Sequence, residues 1–150
     1  MKAKISLFIS LMLIAYLFAQ TNNYTISFNN AVHNEAELTA TFPEISTDTL
    51  TVRMSRTSPG RNALHEFTKN VYSFKATDIA GIPLKIIRTD PYAWQVVGHD
   101  GIVKISNTLF ANQSDGTYSQ VDESHAHLNI TATFMYAHEL VSRKIQVEFK

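Results

Sequence analysis

"AELTATF", residues 36–42, sets Leu38, Ala40 and Phe42 against Glu37, Thr39 and Thr41. Alternation with a period of two is the mark of a strand that turns one face to a core and the other to water. The same pattern recurs outward from this stretch. In "TLTVRMS", residues 49–55, Leu50, Val52 and Met54 alternate with Thr51, Arg53 and Ser55. Tyr24, Ile26 and Phe28 precede it, Tyr72 and Phe74 stand in "VYSFKA", and Ile145, Val147 and Phe149 oppose Lys144, Gln146 and Glu148 at the end. "WQVVGHDGIVKI", residues 94–105, reads as a hairpin turning at Gly98–Gly101, with Trp94, Val96, Val103 and Ile105 on facing strands. One stretch suggests helix. In "SPGRNALHEFTKNVY", residues 58–72, Ser58 precedes Pro59 as a cap precedes a first-turn proline, and Ala63, Leu64 and Phe67 follow at helical spacing. Eight or so short strands separated by turn residues predict an all-β chain, an antiparallel β-sandwich with one short inserted helix.

Residues 1–19 have the layout of a signal peptide: Lys2 and Lys4, an uncharged apolar run from Ile5 to Phe18, then Ala19 before polar residues. The run is short for a membrane span of about 20 residues, so the expectation is export, to the periplasm or the medium, with no membrane attachment after cleavage. The remaining 20–150 suits one domain, and a chain of about 130 residues buries roughly two-thirds of its unfolded surface. There is no cysteine, so no disulfide framework supports it. Without Lys2 and Lys4 the balance is 11 basic against 13 acidic residues. No basic run exceeds Arg143-Lys144, which speaks against a nucleic-acid partner.

"DESHAHLNITATFMYA", residues 122–137, carries the densest polar chemistry. Read as one strand, it has an apolar row of Ala126, Leu128, Ile130, Ala132, Phe134 and Tyr136 opposite a polar row of Glu123, His125, His127, Asn129, Thr131 and Thr133. Cα atoms two residues apart on a strand lie roughly 6.6 Å apart, and two imidazoles carried at that spacing could converge on zinc if a neighbouring strand supplied a third ligand. A hydrogen-bonded polar seam and a plain solvated face are the other readings of the same row. Elsewhere metal and nucleophile motifs fail. H-E-x-x-H would place two imidazoles on one helical face, but His65-Glu66 is followed by Lys69 and His138-Glu139 by Ser142. No G-x-S-x-G elbow or glycine-rich phosphate loop exists, and Asp122, Ser124 and His125 are chain neighbours, whereas triads draw on distant segments. The chain reads as non-catalytic.

Thr51–Asp78 and Asp90–Ala137, through "SRTSPGR", "HEF-K-NVY", "W-V-GHDG", "DGTYSQ-D-SHAHLN" and "ATFMYA", closely resemble the N-terminal domain of the glycyl aminopeptidase family of zinc metallopeptidases. Asn107 and Ala111 in "NTLFAN" and His138 in "YAHEL" depart from the family's pattern. The resemblance implies an exported β-sandwich followed by a thermolysin-like catalytic domain, usually with a PDZ-like domain last. Zinc is then expected in that downstream domain and no cofactor in this chain. The implied partners are the catalytic domain and, through it, a peptide substrate. The polar row of Glu123, His125, His127 and Asn129 becomes a candidate contact with that domain or its substrate, and Arg56 or Arg61 of "SRTSPGR" a candidate partner for a carboxylate at the same cleft. For that loop the plainer reading is a helix cap, and for Tyr92 and Trp94 core packing outweighs a sugar platform. Two further readings stay open: a free-standing extracellular binding module, and a metal-binding domain built on His125 and His127.

Overall fold

A computed structural model describes residues 21–150; the expected signal peptide lies outside them. The described residues form eleven strands: β1 Thr21–Ser27, β2 Glu35–Phe42, β3 Thr49–Arg53, β4 Val71–Thr77, β5 Lys85–Asp90, β6 Ala93–Val97, β7 Val103–Phe110, β8 Gln120–Val121, β9 Ala126–His127, β10 Tyr136–Ala137 and β11 Lys144–Phe149. Among the described residues a single α-helical turn, α1, spans Ile130–Thr133.

Two sheets make the sandwich: a five-stranded one in the order β11-β1-β2-β7-β4 and a four-stranded one in the order β10-β3-β6-β5. A two-stranded ribbon, β8-β9, lies apart. All ladders are antiparallel except β1 with β11, which run parallel. The alternation in "AELTATF" holds residue by residue: Ala36, Leu38, Ala40 and Phe42 are buried, with Glu37 exposed between them. Leu50 and Val52 of β3, Trp94 and Val96 of β6, and Val103 and Ile105 of β7 complete the layer between the sheets. Trp94 is a core residue. It stacks on Phe74 at 4.8 Å between centroids, and the Arg88 guanidinium lies 4.0 Å from its ring centre.

Three local expectations are corrected. Gly98–Gly101 does not turn a hairpin: β6 pairs with β3 and β5, whereas β7 pairs with β2 and β4, so the turn is an arch between sheets. Trp94, Val96, Val103 and Ile105 meet across the core instead of across a ladder. In the arch Gly101 has φ +102 and its carbonyl accepts the Ile45 amide at 2.8 Å, which fastens the arch to the loop after β2.

The helix expected after Ser58 is absent. The Ser58 carbonyl accepts the Arg61 amide at 3.1 Å, and Gly60 sits at φ +79. Pro59 and Gly60 thus occupy the central positions of a tight turn suited to proline followed by a residue with positive φ. Leu64 is left exposed, and only a short 3₁₀ turn forms, at Phe67–Asn70. Among the described residues the short helix is α1.

Nor is 122–137 one long strand. The Asp122 carboxylate accepts the Ser124 and His125 amides at 2.8 and 3.0 Å and closes a tight turn between β8 and β9. The Asn129 side chain accepts the Thr131 amide at 3.1 Å and caps α1. Short polar side chains that capture nearby amides compete with the strand ladder. The two rows dissolve as a result: Ala126 is exposed, Ile130 is 72 % exposed, and Thr133, expected on the polar side, is fully buried.

Candidate functional site

The polar residues singled out in the sequence fall into three places. Glu123, His125 and His127 lie exposed on the β8–β9 ribbon. His125 turns inward on its own chain: its Nδ1 is 3.2 Å from Asp122 Oδ1 and 2.9 Å from Ser124 Oγ. Asp122 also accepts the Ser124 hydroxyl at 2.6 Å. This bond and the two amide bonds hold its carboxyl down at about 2, with nearby His125 a smaller influence in the same direction. The Asp122, Ser124 and His125 contacts are those of a turn. They include no nucleophile-to-base bond backed by a third group from a distant segment. The fit to zinc is equally poor, since among the described residues no group of three His, Cys, Asp or Glu could hold a metal ion.

Asn129 has a different part. Its Nδ2 donates to Ser58 Oγ at 3.0 Å and to the Gly116 carbonyl at 3.3 Å, while its backbone amide donates to Ser119 Oγ at 3.0 Å. Its carbonyl accepts the Thr133 hydroxyl at 2.8 Å, and Thr133 in turn shares a bond with Ser119 at 2.8 Å. Asn129 therefore ties "SRTSPGR" and "DGTYSQ" to α1, a tie internal to the domain. Arg56 is exposed, and its guanidinium carbon lies over Tyr92, 4.0 Å from the ring centre. Arg61 is exposed on the Ser58–Arg61 turn. Arg56 and Arg61 share one loop surface, but His125 and His127 belong to another segment, and no described contact unites the four.

The feature that residue-by-residue reading missed is apolar. Ile145, Val147 and Phe149 of β11 pair in register with Asn22, Tyr24 and Ile26 of β1. Partners in register share a face of the sheet, and these three β1 residues are buried, so the apolar side of β11 continues the sandwich's inner face. Yet Ile145, Val147 and Phe149 remain 63, 37 and 61 % exposed. A groove of about 560 Å³ opens there, lined by Tyr24, by the apolar side of β11, and by Leu128, Ile130, Phe134 and Tyr136. None of the described residues lining it is charged. Tyr24 packs edge-on to Phe42 and Phe134, at 6.0 and 5.6 Å, and burial pushes its phenol up to about 12. The available signal was the alternation of β11 itself, which predicts a covered face.

Comparison with known proteins places the domain. Residues 23–150 match the Peptidase M61 N-terminal domain, and the chain belongs to that family. The family expected from the motifs, a zinc metallopeptidase family matched through its N-terminal domain, is the one found. Among solved structures, an aminopeptidase N family protein from Idiomarina loihiensis shares the fold with a TM-score of 0.80 at 15 % identity, over 86 % of this chain and 22 % of its own. An M1 zinc metallopeptidase mutant from Deinococcus radiodurans, bound to a Tyr-Ser-Ala substrate, overlaps with a TM-score of 0.40 at 7 % identity, over 72 % of this chain and 25 % of its own. The chain thus spans about a fifth to a quarter of these structures. No curated protein sequence matches it.

Proposed function

We propose that this chain is the non-catalytic amino-terminal β-sandwich of an exported zinc aminopeptidase, that it packs against the catalytic domain, and that it shapes one side of the substrate cleft. The family match over residues 23–150 carries this reading. The candidate contacts on the cleft side are the exposed side chains of Arg56, Arg61, Glu123, His125 and His127. Asn129 positions the loops around them through its bonds to Ser58 and Gly116. Zinc belongs to the catalytic partner in this scheme, and peptide reaches the sandwich only through that partner. Export rests on Lys2, Lys4 and the apolar run from Ile5 to Phe18.

An activity assay tests the reading. The purified chain with added zinc should leave glycyl and alanyl aminopeptidase substrates intact, whereas the same domain ahead of a family catalytic domain should accompany turnover. Chelator-sensitive hydrolysis by the chain alone, surviving repurification, would contradict it.

A further inference from the structure

The apolar groove beneath β11 is itself a docking surface, and we infer that its occupant is the metallopeptidase catalytic domain, seated against Ile145, Val147 and Phe149 on one wall and Leu128, Ile130 and Phe134 on the other. The inference rests on the proposed function and adds where the two domains meet.

Three observations favour this occupant. First, β11 alternates as a half-buried strand does, with Lys144, Gln146 and Glu148 on one side and three large apolar residues on the other, yet the apolar side is uncovered. An inner sheet face left open is an unfinished core, and contiguous exposed apolar surface of this kind marks an interaction site. Second, the groove lining is uncharged and chiefly aliphatic and aromatic. Such surface suits a permanent interface, which resembles a domain core cut in two, better than a transient contact with a charged ligand. Third, in the Idiomarina protein the matching segment is only 22 % of the chain, so more than three-quarters of that polypeptide is available to cover the equivalent face. The polar ribbon offers less: His125 is already engaged with Asp122 and Ser124, and the ribbon presents no contiguous apolar area.

Scanning calorimetry on a chain in which this domain precedes the family's catalytic domain tests the assignment, because two tightly docked domains unfold together and undocked ones separately. The parent should show one transition. Ile145→Glu with Val147→Glu should split it in two, while Lys75→Ala with Lys104→Ala, exposed on β4 and β7 outside the groove, should leave it single. Both β11 positions are exposed, so the isolated double variant should keep the parent's circular dichroism; if it does not fold, Phe149→Ser replaces it. A single transition in the β11 variants would overturn the groove as the seam and leave the proposed function standing. Two transitions in the parent would overturn both. A stable dimer of the chain alone, dissociated by the β11 substitutions, would instead assign the groove to a second copy and overturn the inference.

Discussion

Asn129 and the two histidines beside it look alike in sequence and differ in what they hold. The Asn129 side chain bonds Ser58, Gly116 and the first turn of α1, whereas the His125 and His127 side chains are exposed. Asn129→Ala should destabilise the domain by roughly 1–2 kcal/mol, the cost of a lost helix cap. His125→Ala and His127→Ala should each stay within about 0.5 kcal/mol, as exposed substitutions do; urea unfolding of the three variants measures both. Asp122 supplies a second test. Its folded pKa is about 2, below the ordinary carboxylate value, so its contribution to stability is present above about pH 4 and is lost as pH falls through about 2. Carboxyl chemical shifts followed by NMR should place its midpoint near 2. A midpoint near 4 would mean the amides of Ser124 and His125 are not held. These captures also explain what the sequence concealed. Period-two alternation through residues 122–137 is present in the letters, but Asp122 and Asn129 draw backbone amides away from a ladder, and no periodicity reports that competition.

Strands were legible because their alternation is set locally, by which side chains can leave water. Their partners were not, because pairing depends on sequence-distant contacts. Asp100-Gly101 has the composition of a hairpin turn, yet it carries the chain from one sheet to the other. What decides the matter is that Val96 and Val103 are both buried among residues of the opposite sheet, so facing each other across the core serves them better than sharing a surface. The arch depends on Gly101 at φ +102, where a side chain is strained even though a Cβ would meet nothing nearer than 3.5 Å. Gly101→Ala should therefore cost roughly 1–3 kcal/mol through the backbone alone. A loss below about 0.5 kcal/mol in denaturant unfolding would show that the arch relaxes to another conformation. The Ser58–Arg61 turn carries the same lesson: Pro59 is compatible with a helix start, but Gly60 directly after it takes the positive φ that ends one.

At the scale of the molecule, the sandwich and its family were legible from the alternation, the motifs and their order, and the family match agrees. The groove was not, because a sequence states that β11 has an apolar side and leaves unsaid whether anything in the same domain covers it. Here Ile145, Val147 and Phe149 stay exposed beside Leu128 and Phe134. A domain completed by its neighbour is the simplest physical account of a half-buried pattern without a cover. Hydrogen exchange tests this most directly. Backbone amides of Lys144–Phe149 and of Leu128–Phe134 are compared in the chain alone and in the chain joined to a family catalytic domain. Their exchange should slow by at least about tenfold in the joined protein, while that of the β8–β9 ribbon changes less. Equal exchange in both proteins, or protection confined to the ribbon, would contradict the account.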